Sequence, residues 1–401
     1  MIATTILFLF CCIAVVFVSS LKPPPAAVKR IMSACDVLPT SLIVGYCNWN
    51  QCDDSIVARV EEGVNVIIWF SINLAVDVKT GEPAVTNGPD MKCVAGIVNR
   101  IRDLGLQCTH LISVGGWNSP HPDTSNSAQR VFDHFNRWNR ETIANKEMGF
   151  LGFDGIDWDI EGNDDMSSAY NTFTPACLNL MGEFSQLAKQ AGYVVAMAPA
   201  ESYLDARTSD FSLSLLHDYP EWRSLQPSFT YHGRNVYAYL LARYGLLPGG
   251  ERVFDFVTLQ LYEGYSHALY DTAYQQPPVS PKEYLKRVVE SYERGWQVDF
   301  SQEPALGMVS PVRVSVAAPQ LVLGLANGWA GDGKFLFVDP SAAGEAWVEM
   351  EAASGRGAAL RGFAYWNMLD EGRAPQSDPE HPVFMAKTLN RYLHVGEEKE
   401  G

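Results

Sequence analysis

Short apolar, β-branched runs alternate with longer stretches of helical periodicity along most of the chain. The runs that predict strands are Leu42–Tyr46, Val64–Ser71, Thr109–Val114, Gly152–Ile160, Tyr193–Ala198, Phe256–Tyr262, Leu321–Leu325 and Gly362–Trp366. Helical patterns lie between them, clearest at 90–105, 127–147, 175–191, 280–296, 341–355 and 380–394, with Asp90 and Ser280-Pro281 as N-terminal signals. Strands alternating with helices, several of them nearly all apolar, predict a parallel sheet buried on both faces. The simplest closure of eight such units is a single-domain (β/α)8 TIM barrel over residues 41–395, with no inserted α+β domain. A doubly wound open sheet is the alternative, but no GxGxxG follows an early strand. The connection at 200–250 is longer than one unit needs; Asp210–Leu216 and Asn235–Tyr244 are expected as helices covering part of the rim.

One strand breaks the apolar rule. In Gly152-Phe153-Asp154-Gly155-Ile156-Asp157-Trp158-Asp159-Ile160-Glu161-Gly162, acids recur at every second position from Asp157 to Glu161. Side chains alternate across a strand, so three carboxyls share one face while Trp158 and Ile160 pack on the other. A solvated strand face is the common reason for such a row, but Phe153, Ile156 and Ile160 argue against it. Like charges in a low-dielectric site raise each other's pKa, so an inward row holds a proton. Glu161, last in the row before Gly162, is the candidate general acid. Asp154 is out of phase with the inward set and is expected to satisfy backbone donors. No His or further Glu stands beside the row, and neither metal nor cofactor is expected.

In a barrel, chemistry sits at the C-terminal ends of strands. Here those ends read Tyr46-Cys47-Asn48-Trp49, Gly115-Gly116-Trp117, Met197-Ala198-Pro199, Gln260-Leu261-Tyr262 and Trp366-Asn367. Strand parity places Thr258, Gln260 and Tyr262 on one face, and Ala364, Trp366 and Met368 on another. Trp49, Trp117 and Trp329 fall in loops that can line a cleft.

Composition narrows the partners. The formal charge of −16 argues against nucleic acid or an anionic membrane surface and suits a neutral or cationic substrate. Ten Trp and 17 Tyr supply aromatic faces able to hold apolar sugar rings. The apolar run Ile2–Val18, the small residues Ser19-Ser20 and Pro23-Pro24-Pro25 predict a signal peptide over 1–20, with an uncleaved anchor as the alternative. A linker over 21–40 and an acidic tail over 396–401 complete the chain. The expected product is secreted, monomeric and free of the membrane once the leader is removed. Of eight cysteines, Cys11 and Cys12 leave with the leader; Cys35, Cys47, Cys52, Cys93, Cys108 and Cys177 suit up to three disulfides.

The octet Asp154–Glu161 resembles the DxxDxDxE signature of the glycoside hydrolase family 18 chitinases without a gap, and Ser113-Val114-Gly115-Gly116 resembles that family's SxGG element. Met197-Ala198-Pro199, Gln260-Leu261-Tyr262 and Trp366 look like its motifs on strands five, six and eight. The correspondence runs from about residue 41 to 394, and the short interval before the last strand is similar to the compact class III, hevamine-like branch. The resemblance implies a retaining, substrate-assisted mechanism in which the sugar's own acetamido oxygen attacks and forms an oxazolinium ion. It implies Glu161, Asp159, Asp157 and Tyr262 as catalytic residues. Trp366, Gln260, Met197, Gly116, Trp117 and Tyr46 would bind chitin or chitooligosaccharides. Two departures stand out: Glu263 follows Tyr262 where relatives carry Asn or Asp, and Glu201 stands where an uncharged amide is frequent. An endo-β-N-acetylglucosaminidase acting on N-glycans keeps the same mechanism. A non-hydrolytic chitin-binding lectin is the reading from another class, and the retained Glu161 weighs against it.

Overall fold

A computed structural model describes residues 38–48, 53–87, 90–215, 234–264, 266–330, 333–354 and 360–394. Eight strands pair in parallel and close into a ring: β1 (Leu42–Asn48), β2 (Val66–Val76), β3 (Thr109–Gly116), β4 (Gly155–Ile160), β5 (Val194–Met197), β6 (Phe256–Gln260), β7 (Leu321–Ala326) and β8 (Gly362–Trp366). Val44 of β1 lies opposite Ala364 of β8 on one side and Val66 of β2 on the other, which shuts the barrel. Helices follow the strands in turn: α1 (Asp54–Glu61), α2 (Met91–Asp103), α3 (Ala128–Arg137), α4 (Pro175–Gln190), α5 (Ala238–Tyr244), α6 (Pro281–Arg294), α7 (Pro340–Ser354) and α8 (Met385–Leu393). This is the expected (β/α)8 TIM barrel.

Period-two alternation divides the apolar residues between two cores. Leu42, Val44, Val66, Ile68, Leu111, Ala196, Phe256, Val322 and Ala364 fill the barrel interior. Their neighbours Ile43, Ile67, Ile112, Val195, Val257, Leu323 and Phe363 point outward into the layer beneath the helices. Caps start the helices where the sequence indicates: Asp90 accepts from Lys92 N at 2.9 Å and Ser280 from Glu283 N at 3.3 Å.

Several expectations change. Residues 210–215 are not helical: the Asn235 amide donates to the Thr208 carbonyl and to that of Asp210, which a helix from Asp210 would use, and Ser214 bridges to Thr172; Leu216 lies outside the described residues. Asn235 itself sits at φ 53, so the following helix begins only at Ala238. The pattern at 127–147 ends as α-helix at Arg137 and turns through a π-helical segment, Trp138–Thr142. Two antiparallel pairings were not expected: Pro83–Thr86 on the end of β2, and Trp296–Val298 with Val312–Val314. Cys47, Cys108 and Cys177 are buried thiols, so the full set of three disulfides is not made, whereas Cys93 is disulfide-bonded; Cys35 and Cys52 lie outside the described residues. The leader, most of the linker, Trp49 and the acidic tail also lie outside them.

Candidate active site

The acid row owes its position to what lies behind it. Trp158 is fully buried on the outer face of β4, its indole donating to Ser185 Oγ of α4 at 2.8 Å with Phe184 edge-on at 5.4 Å. Ile156 and Ile160 pack in the same layer. With that face fixed, Asp157, Asp159 and Glu161 project inward, at 0%, 3% and 6% exposure. Asp154, out of phase, accepts from the His110 backbone N–H at 2.9 Å, as its parity suggested. β3 approaches closely: a Cβ on Gly115, at φ 101, would stand 2.6 Å from the Asp159 carbonyl, so only glycine fits there.

Burial dominates the electrostatics. It lifts Asp157 well above the usual carboxyl range, and the charge of Asp159 adds to it; the Tyr46 hydroxyl donates to Asp157 Oδ2 at 3.1 Å. Asp159 is raised to about 7 by burial, held back by hydrogen bonds from Glu161 and from Gln260, whose Nε2 lies 2.8 Å from Oδ1. Glu161 is raised well above its ordinary value by burial, then by the charges of Asp159 and Glu263. Burial and mutual repulsion thus favour the protonated forms along the row, with Glu161 and Asp159 hydrogen-bonded to each other and Asp157 beneath them. Glu161 Oε2 is buried, has no hydrogen-bond partner in the protein, and belongs to a residue that lines the cavity.

That cavity, about 690 Å³, opens over the row. Its lining includes Asp159, Glu161, Gln260, Tyr262, Gly116, Trp117 and Trp366, seven of the residues marked in the sequence. Trp366 stacks on Phe70 at 4.3 Å, and its carbonyl accepts from the Trp329 indole at 2.5 Å. Tyr262 meets Trp329 edge-to-face at 6.0 Å, and burial followed by the charge of Asp159 raises its hydroxyl pKa well above normal. These rings make an aromatic floor and wall beside the buried Glu161 carboxyl.

Two residues expected to bind substrate do not line the cavity. Met197 is fully buried among the residues beneath the helices, because β5 turns Ala196 and Ala198 inward and leaves Met197 in register with the outward Trp158. Tyr46 lies below the cavity, holding Asp157 and touching Trp366 at 5.5 Å. Asp157, expected deeper in the barrel than Asp159, lies beneath the lining. The sequence reading missed Phe70, Ser71, Asp164, Lys334 and Phe335, all of which line the cavity. Phe70 and Ser71 end an expected strand, so the strand-end rule alone could have found them; Lys334 and Phe335 sit in a loop with no such signal. Of the two departures, Glu263 lines the cavity. Glu201 does not: it accepts from Ala268 N at 3.0 Å and from the Tyr284 hydroxyl.

No family model matches the chain, and no curated protein matches it in sequence. Solved structures do. The barrel is similar to the C-terminal domain of Legionella pneumophila ChiA, with a TM-score of 0.54 and 13% identity over 89% of this chain and 99% of that one. It is also similar to the catalytic domain of a hyperthermophilic chitinase from Pyrococcus furiosus, with a TM-score of 0.51 and 12% identity over 90% and 97%. At such identities the likeness is one of fold.

Proposed function

We propose that this chain is a glycoside hydrolase that cleaves β-1,4 linkages between N-acetylglucosamine residues of chitin or chitooligosaccharides, retaining anomeric configuration. The observation that supports it most is the buried Glu161 carboxyl, whose Oε2 is unpartnered beside an aromatic-walled cavity and whose protonated form burial favours. The resemblance of the octet to family 18 and the chitinase-like fold point the same way.

In this reading Glu161 gives its proton to the bridging oxygen as the bond from that oxygen to C1 breaks. The acetamido carbonyl oxygen of the same sugar bonds to C1, forming an oxazolinium ion, and the leaving sugar departs with a hydroxyl. Asp159 accepts the acetamido N–H and balances the positive charge. Asp157, kept protonated below, lets Asp159 carry the single negative charge of the pair. Tyr262 donates to the acetamido oxygen, and Trp366 floors the reacting sugar. Glu161, now ionised, takes a proton from water, whose oxygen adds to C1 and reopens the ring. Among the described residues, the interval between β7 and β8 holds α7 and no inserted domain, which favours an open cleft and endo cutting. We extend the proposal to secretion of a monomer through the apolar N-terminal leader.

A soluble N-acetylglucosamine oligomer and the matching glucose oligomer separate this mechanism from a two-carboxylate one. Cleavage of the first alone, with the β-anomer formed initially, is expected. Equal cleavage of both contradicts it.

A further inference from the structure

The loops after β3 and β4 are clasped together at the cavity edge by a pair of side chains that the sequence motifs do not include. Asp164 accepts from the Trp117 indole at 3.1 Å through Oδ1 and from Asn118 Nδ2 at 2.7 Å through Oδ2. The Asn118 carbonyl oxygen of the side chain returns the bond, accepting from Asp164 N at 2.8 Å, and Asn118 N donates to the Gly162 carbonyl at 3.0 Å. Asn118 takes the left-handed conformation, φ 66, that this double contact requires. Both carboxylate oxygens of Asp164 are thus committed to donors, and the two hydrogen bonds hold it below the usual carboxylate range.

What the clasp holds is an aromatic ring and, through it, the proton donor. Trp117 is 42% exposed and lines the cavity, so its ring is not fixed by burial. One edge of the ring lies against Gly162, whose added Cβ would come within 3.3 Å of it. The backbone N–H of Trp117 also favours the ionised form of Glu161, which places that N–H against the acid's carboxyl. An exposed indole free to rotate offers a poor stacking face, whereas one tied at its N–H presents a preformed one.

We propose that Asp164 is a positioning residue: it fixes the Trp117 indole as the platform for the departing sugar, next to the carboxyl that protonates that sugar's oxygen. This rests on the hydrolase reading above and specifies which half of the substrate the clasp serves. The departing sugar needs both stacking and a proton. An aryl leaving group is small and acidic, and needs much less of either.

The test compares a soluble N-acetylglucosamine tetramer with an aryl glycoside of the dimer, in wild type, Asp164→Ala, Asp164→Asn and Trp117→Ala. In Asp164→Ala the ratio of kcat/KM for tetramer over aryl glycoside falls about tenfold. Asp164→Asn recovers part of it, since its amide oxygen still accepts one donor. In a Trp117→Ala background Asp164→Ala changes the ratio no further. An unchanged ratio, or a loss that persists without Trp117, overturns the proposal. If the wild type cleaves neither substrate, the hydrolase reading falls instead. The clasp is then judged by hydrogen exchange at the Trp117 indole N–H. Faster exchange in Asp164→Ala than in wild type upholds it, and equal exchange overturns it.

Discussion

The Gln260 amide nitrogen lies 2.8 Å from Asp159 Oδ1 and 2.7 Å from the Ala198 carbonyl, so both of its protons are committed and its orientation is fixed. It reaches Asp159 across the end of β5 and supplies one of two hydrogen bonds that oppose the effect of burial on that carboxyl. Gln260→Leu removes a donor that favours ionised Asp159. The pKa then rises further above about 7, and the acid limb of the pH–kcat/KM profile moves toward alkaline pH. The loss of activity should be several-fold larger below neutrality than above it. A uniform loss at all pH values would mean that Gln260 acts only by packing.

Glu263 has the opposite handle on the same machinery. Its charge is one cause of the raised pKa of Glu161. Glu263→Gln removes that charge, so Glu161 loses its proton at lower pH and the alkaline limb of the profile moves toward acid. The acid limb should shift less. Measuring both limbs of kcat/KM separates this effect from a loss of substrate contact, which lowers the whole curve without moving its limbs.

His110 carries a prediction about stability. It is buried at the barrel's base, its Nδ1 3.3 Å from the Trp69 indole N–H, and burial lowers its pKa from 6.5 to about 4. The neutral ring is favoured in the fold, so its contribution is complete above pH 6.5. It is lost as pH falls toward about 4, where the unfolded chain binds a proton that the folded one resists. The loss amounts to about 3 kcal/mol. His110→Gln should be less stable than wild type at neutral pH, having lost a packed ring, but its stability should fall less on acidification. Denaturant unfolding at several pH values reads the difference; parallel curves for the two proteins would contradict it.

The acid row was legible because two periodicities agree in it: the acids alternate, and the residues between them are large and apolar. Trp158 could pack against Phe184 only by facing the helices, and that sent the carboxyls inward. Met197 was misplaced for a related reason. Its strand is short and apolar on both faces, so nothing in Val194–Met197 marks which side faces in; the partner register with Trp158 decides it. The non-helical backbone at 210–215 depends on an amide from Asn235, more than twenty residues away in sequence, which local propensity cannot register. Lys334 and Phe335 reach the cavity through the path of a loop, and Asp164 through its bonds to Trp117 and Asn118. None of these contacts leaves a period in the sequence.

The proposed hydrolysis begins with a proton held at Glu161. Glu161→Gln keeps the shape and the hydrogen-bonding capacity of the side chain while removing the transferable proton. Hydrolysis of a soluble N-acetylglucosamine oligomer, measured alongside calorimetric binding of the same oligomer, tests it directly. Turnover should fall by about a thousandfold or more while affinity stays within about threefold of wild type. Turnover at the wild-type rate in Glu161→Gln would contradict the account.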